Sequence, residues 1–171
     1  MRTIILRFRD LSIPDGETIR RHRESISVFG DTWWGWIMRQ RESYPEQLFI
    51  TLAQRLKEQP QSIYLFHSGE VTLYPAQLKR ISAFPGGMKL QSPDVQRTPP
   101  YMTEAECPAW FQLSKIDAPI QTASTLSITS FPTLLTPAPP DLELLGTQKQ
   151  EIDSLRYSTA TLWDVDIEAV A

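Results

Sequence analysis

The chain has 171 residues, 41% hydrophobic and 22% charged, which is the composition of an ordinary globular protein and a length that suits one domain. Its formal net charge of -3 argues against a general binder of the nucleic-acid backbone, so any contact with nucleic acid must be local. Its single cysteine excludes an internal disulfide and a zinc site made of several cysteines. The N-terminus is too charged for a signal peptide, and no stretch approaches about 18 apolar residues, so we expect a cytoplasmic protein without a membrane partner.

A strand and a helix are predicted first. Residues 3–9, TIILRFR, end in alternating apolar and basic positions, which is typical of a strand with one solvated face. That alternation places Arg7 and Arg9 on the same face. Asp15 is expected to cap a helix over residues 16–29, which ends at Gly30.

Three tryptophans follow in the stretch GDTWWGWIMRQRE, residues 30–42. In an extended segment, Trp34 and Trp36 point to one side and Trp33 to the other. Their rings could stack on a planar base, or they could simply fill the core, since tryptophan buries a large apolar area. Both interpretations stay open at this point.

Two further arginines, Arg39 and Arg41, come directly after the tryptophans. Together with Arg7 and Arg9 they could bind a phosphate or a base edge through paired hydrogen bonds. The alternative is that all four are ordinary solvated charges. A combination of aromatic rings, a glycine and arginines within ten residues favours a site.

The rest of the chain predicts one more helix and several strands. A capping box at Ser43 and Glu46 predicts a helix over residues 45–58, and residues 62–81 indicate a β-hairpin with Pro75 in its second strand. Three later strands are expected at residues 109–116, 124–131 and 159–167. Irregular proline-rich loops are expected at about 82–108 and 131–150. The prediction is one α+β domain over residues 1–171, a small, strongly bent β-sheet or barrel flanked by two N-terminal helices.

Motifs of catalysis and metal binding are not found in the sequence, so no catalytic residue, metal or cofactor is expected. The two histidines, His22 and His67, lie in different predicted elements and lack a metal-binding spacing. Cys107 is interpreted as a core residue, and a hydrolase that pairs it with His67 ranks last among the alternatives. Three carboxylates alternate along the last strand, where a solvated face is favoured over a cation site: Asp164, Asp166 and Glu168.

Three stretches resemble the EVE domains of the PUA-like superfamily, which also contains the YTH and ASCH domains. GDTWWGWIMR, residues 30–39, resembles a Trp-x-Gly segment of that family. IYLFHSG, residues 63–69, is similar to its strand ending in Tyr-His-Ser, and AWFQL, residues 109–113, to its Lys-Trp-Trp-x-Val strand. The opening strand, ILRFRD, and the proline-rich loops depart from the family pattern.

The resemblance implies a compact barrel with an aromatic pocket that reads a modified or extruded nucleobase, in DNA, in RNA or as a free nucleotide. Carried over residue by residue, it implies that Trp34 or Trp36, His67 and Ser68 line the pocket, with Trp110 in or near it. The function expected on this basis is non-catalytic recognition of the base.

Two other functions remain open. The order of strand, helix, Trp-Trp-Gly-Trp and Tyr-Leu-Phe-x-Ser-Gly is also similar to N-terminal sensor modules of bacterial nucleotide-signalling or defence proteins, such as phosphoesterases or cyclases. That similarity implies an effector domain, fused or separate. The last alternative is a protein-interaction domain with a buried tryptophan cluster, which predicts that tryptophan variants unfold.

Overall fold

A computed structural model describes residues 2–11, 13–40, 42–121, 126–131 and 148–169. Within these ranges, nine strands form one mixed sheet that two helices flank, so the predicted α+β class is confirmed. The helices are α1, Glu17–Phe29, and α2, Glu46–Leu56. The strands are β1 Arg2–Phe8, β2 Thr32–Trp36, β3 Gln61–His67, β4 Thr72–Ala83, β5 Ala109–Ile116, β6 Ile120–Gln121, β7 Leu126–Phe131, β8 Gln148–Glu151 and β9 Leu162–Ala169. Among the described residues, no helix has the length and hydropathy needed to cross a membrane.

The strands follow the order β2-β5-β4-β3-β1-β9-β7-β8, with β6 paired to β4. Within the described ranges, the outermost strands β2 and β8 do not pair with each other, so the sheet is open rather than a closed barrel. β1 and β3 are parallel and place Phe8 opposite His67, whereas the other described pairs are antiparallel. Register shifts at Leu78 mark bulges in β4, which bend a strand locally.

β1 occupies the centre of the sheet because its apolar run is covered on both faces. Residues 3–6 are all buried, and β3 and β9 pair with the strand on its two edges. Basic side chains begin only where the strand leaves the core. The end of β1 therefore brings Arg7 and Arg9 to the surface beside β3 and the segment that precedes β9.

The residue that caps the first helix differs from the one predicted from the sequence. The sequence predicts Asp15 as its cap, but Asp10 caps it from the end of β1: the Asp10 carboxylate accepts the backbone N–H groups of Gly16 (2.9 Å) and Thr18 (3.1 Å). The prediction of Asp15 is wrong because a carboxylate from outside the helix already occupies the free N–H groups. Gly30 ends the helix as predicted, with a φ of 88°.

The second helix begins at Glu46 with Pro45 as its N-cap residue, in place of the Ser43 that a capping box requires. The predicted hairpin and the strand over residues 109–116 are confirmed as β3, β4 and β5. The proline-rich stretch between β4 and β5 contains three short 3-10 turns. Of the second proline-rich stretch, residues 132–147 lie outside the described residues, and residues 148–150 belong to β8.

The tryptophans of β2 divide between two clusters of buried side chains. Trp34 and Trp36 belong to the main core, and Trp33 to a smaller cluster with Cys107 and Trp110, as strand alternation predicts. Gly35 is required between them, since a Cβ there would lie 2.8 Å from the Cys107 sulfur and 2.9 Å from a ring carbon of Trp110. Side chains of the protein, rather than a ligand, fill the space that this glycine leaves.

Candidate functional site

A cavity of about 290 Å³ lies between the end of β1, strand β2 and the proline-rich loop. Aromatic and aliphatic side chains form most of its lining, and hydroxyl and guanidinium groups complete it. Small-molecule sites in proteins have volumes of about 300–1,000 Å³, so this cavity suits one flat ring system rather than an extended ligand.

The aromatic wall comes from three elements. Phe8 of β1 meets Trp34 edge to face, with ring centroids 5.3 Å apart and planes at 83°. Trp34 and Trp36 are among the lining residues but are only 4% and 2% exposed, so both are core side chains that present little surface to the cavity. Tyr101, from the proline-rich loop, lines the cavity as well.

A buried histidine supports this wall from behind. The ring of His22 lies 4.5 Å from that of Trp34 with the planes inclined at 30°. Its Nδ1 lies 2.8 Å from the Thr32 hydroxyl, and its Nε2 lies 2.8 Å from the Tyr101 hydroxyl. Burial lowers the pKa of His22 to about 3, so the ring is neutral at pH 7, with one nitrogen donating and the other accepting. The histidine thus fixes the positions of Trp34 and Tyr101 together.

A second series of hydrogen bonds fixes the position of Trp36. The indole N–H of Trp36 donates to the hydroxyl of Thr161 (2.9 Å), which donates to the carboxylate of Glu42 (2.6 Å). Thr161 lines the cavity, and Glu42 is buried behind it. Burial raises the pKa of the Glu42 carboxyl, against the hydrogen bonds from Thr161 and Arg39 that lower it.

Three arginines line the cavity with these rings: Arg7, Arg9 and Arg39. Burial lowers the pKa of Arg7, and the positive charges of Arg39 and Arg9 lower it further, because like charges disfavour one another. Concentrating three guanidinium groups at one opening has an electrostatic cost. An anionic group bound there would relieve it.

Backbone carbonyls of residues 156–159 hold two of these arginines in place. Arg7 donates to the carbonyls of Arg156 (3.3 Å) and Ser158, and Arg39 donates to that of Thr159 (3.0 Å). Since carbonyls are neutral, they orient both guanidinium groups without cancelling their charge, which the nearby Glu42 carboxyl offsets in part.

The remaining predicted site residues take different positions. His67 and Ser68 lie behind the cavity: Ser68 accepts a hydrogen bond from the Nε of Arg9 (2.8 Å), and His67 contacts the Asp10 carboxylate through Nε2 (3.0 Å). Trp110 is fully buried in the smaller cluster, where its indole N–H donates to a backbone carbonyl. Arg41 lies outside the described residues.

The geometry does not support the hydrolase that would pair Cys107 with His67. Cys107 is buried, and burial raises its pKa to about 12, which disfavours the nucleophilic thiolate. Both ring nitrogens of His67 are already engaged, by Asp10 and by the backbone N–H of Glu70. In the described ranges, no group of three His, Cys, Asp or Glu side chains is placed to hold a metal ion. Of the last strand's carboxylates, Asp164 is buried and paired with Arg2 through two hydrogen bonds (2.8 and 2.7 Å).

Several lining residues were missed from the sequence, among them Phe8, Tyr101 and Thr161. Tyr101 lies in a proline-rich stretch without a periodic pattern, where an isolated aromatic side chain is the one available signal. Thr161 had no signal at all, because its partner Trp36 is 125 positions away in the chain.

Asp10 connects the end of β1 to α1 through its hydrogen bonds. Replacing it with asparagine should lower the free energy of unfolding by about 2 kcal/mol at pH 7. Burial raises the pKa of Asp10, but hydrogen bonds from Thr18, the Gly16 N–H and His67 outweigh it and bring the value to about 2. The carboxylate therefore contributes stability above its unfolded pKa of 3.8, and this contribution is lost as the pH falls through about 2. Urea unfolding of the wild type and Asp10→Asn should show a difference at pH 7 that shrinks below pH 4. Asp15→Asn is the matched control and should change stability by less than about 0.5 kcal/mol.

A family model described as Pua-like matches residues 4–169, which is nearly the whole chain. Comparison with curated proteins and with solved structures found no match.

Proposed function

The chain belongs to the Pua-like family, and from this premise we propose that it is a recognition domain whose cavity takes a nucleobase, modified or extruded from a nucleic acid. Aromatic side chains and three arginines line one cavity of about 290 Å³, and this arrangement is the main support for the proposal. This cavity suits a flat heterocycle with an anionic group at its edge.

The aromatic side chains supply the affinity for the base. Stacking of a base on an aromatic side chain contributes about 1–3 kcal/mol. Phe8 and Tyr101 are the lining rings that are only partly buried and so have surface for stacking. Packing on Trp34 holds Phe8 in place, and the hydrogen bond with His22 holds Tyr101, so little ordering entropy is lost when a base stacks on them.

The arginines supply the contact to phosphate. The net charge of the chain is -3, so attraction to phosphate has to be local, and three guanidinium groups lie around this one cavity. Hydrogen bonds between guanidinium and phosphate are charge-assisted and paired, which fixes the register of a bound nucleotide.

Arg9 is the best residue for a test because its one described hydrogen bond goes to a neutral group, the Ser68 hydroxyl. In Arg9→Gln we expect roughly tenfold weaker binding of fluorescently labelled single-stranded oligonucleotides with unmodified and methylated bases. The slope of log affinity against log salt, measured between about 50 and 200 mM, should become shallower by about 0.7 for each phosphate that the variant no longer neutralises. Arg80→Gln, an exposed position on β4 outside the cavity, is the matched control and should change neither quantity.

Absence of salt-dependent binding to every oligonucleotide and nucleotide in the panel would contradict the proposal. Binding of free nucleotides alone, weakened in Arg9→Gln, would instead support the alternative of a sensor domain that acts on an effector.

A further inference from the structure

An exposed aromatic side chain stands beside the cationic opening of the cavity. Tyr157 is 76% exposed, the second largest such exposure among the described apolar and aromatic side chains. The guanidinium carbon of Arg156 lies 4.7 Å from the centroid of its ring, a cation–π pair at the surface. A tyrosine this exposed buries little area of its own, so packing within the chain does not explain it.

The position of Tyr157 is fixed by the arginine that lines the cavity. Arg7 donates to the carbonyls of Arg156 and Ser158, the residues on either side of Tyr157. Since one guanidinium group spans both carbonyls, the tyrosine projects from backbone that is in direct contact with the cavity lining.

The segment that presents Tyr157 is anchored from below. Ile152 and Leu155, in the same 3-10 helix, are 0% and 1% exposed, and the N–H of Ser158 donates to the carbonyl of Leu155 (3.1 Å). The backbone is thus held in the core while the tyrosine ring remains in solvent.

We propose that Tyr157, with Arg156, is a stacking platform for the nucleotide next to the one whose base enters the cavity. The inference rests on the proposed function and deepens it: the partner is a nucleic acid with an unpaired stretch of at least two nucleotides, rather than a free nucleotide. An exposed aromatic ring can stack on the face of any base, and Arg156 adds a positive charge that can contact the connecting phosphate.

The charges around Tyr157 favour nucleic acid over a protein partner. Four arginines lie on or beside this opening: Arg7, Arg9, Arg39 and Arg156. The carbonyls that hold Arg7 and Arg39 are neutral, and the buried Glu42 carboxyl beside them offsets only part of the four positive charges. A polyanion complements such a surface, whereas the centre of a protein interface is depleted of charge.

The test compares two ligands on two variants. Tyr157→Ala should bind a labelled single-stranded oligonucleotide roughly five- to 150-fold more weakly than the wild type, which is the effect of losing one stacked base. The same variant should bind the matching mononucleotide with the affinity of the wild type, because a mononucleotide contacts only the cavity and not Tyr157. Tyr157→Phe keeps the ring and should retain the oligonucleotide affinity. Tm values should agree among the three proteins, since the exposed side chain contributes little to stability.

Separate outcomes overturn the two proposals. If Tyr157→Ala leaves oligonucleotide affinity unchanged while Arg9→Gln weakens it, the stacking platform is wrong and the recognition function stands. If only mononucleotides bind, the platform is also wrong. If neither ligand binds the wild type at any salt concentration, the proposed function itself fails.

Discussion

Acidification from pH 6.5 to pH 3 is expected to remove about 4–5 kcal/mol of folding stability through His22 alone. In the unfolded chain this side chain takes up a proton near its ordinary pKa of 6.5, whereas in the folded chain burial lowers the pKa to about 3. Between these values the unfolded state binds more protons, so the free energy of unfolding falls as the pH falls. Below about pH 3 His22 adds no further loss.

The surroundings of His22 explain the direction of this shift. The ring is fully buried, and its two described hydrogen-bond partners, the hydroxyls of Thr32 and Tyr101, are neutral. Burial likewise raises the pKa of Tyr101, which keeps that hydroxyl protonated. Because neither partner is a carboxylate that would stabilise an imidazolium, desolvation decides the pKa.

Unfolding in urea at a series of pH values would measure the effect, with His22→Gln as the comparison. The variant loses hydrogen bonds and should be less stable at pH 7, but its stability should change much less than that of the wild type between pH 6.5 and pH 4.5. This window separates His22 from Asp10, whose contribution is lost only below about pH 4. Glu42 acts in the opposite sense, because a raised carboxyl pKa makes the folded state gain stability as the pH falls. Titration of His22 near pH 6.5 in the NMR spectrum of the folded protein would contradict the prediction.

Local patterns predicted the elements best where sequence and packing agree. AWFQLSKI, rich in aromatic and apolar residues, became β5 with the predicted ends, since both its faces are buried over its first five residues. Alternation correctly separated Trp33 from Trp34 and Trp36, because the alternation of neighbouring side chains in a strand does not depend on distant contacts. The short strands β6 and β8 were missed, since two to four residues are too few for a periodic signal.

The supports of the cavity could not be predicted in the same way. Asp10 caps a helix that begins at Glu17, and Glu42 reaches Trp36 only through Thr161. Each is a polar contact made by the tertiary fold, and no local rule of sequence encodes it. The arginines illustrate the same limit: Arg7 and Arg9 share a strand end, but only the fold brings Arg39 to them.

Replacing Trp34 with alanine is expected to reduce the free energy of unfolding by about 3–5 kcal/mol. The ring is 4% exposed and contacts both Phe8 and His22, so its loss leaves a void in the main core. The void also opens a path for water to His22, whose pKa should rise from about 3 toward 6.5. Urea unfolding gives the first quantity and NMR titration of the histidine gives the second.

Trp33→Ala is the matched control, because Trp33 is 3% exposed but packs in the smaller cluster. Both variants should be destabilised by a similar amount, and only Trp34→Ala should shift the titration of His22. Equal histidine titration in the two variants would contradict the role assigned to Trp34. If the alanine variant does not fold, Trp34→Phe retains part of the ring and should shift the pKa in the same direction by less. Because Trp34 belongs to the core and the cavity at once, a bound base should raise the stability of the whole fold, by an amount that grows with ligand concentration.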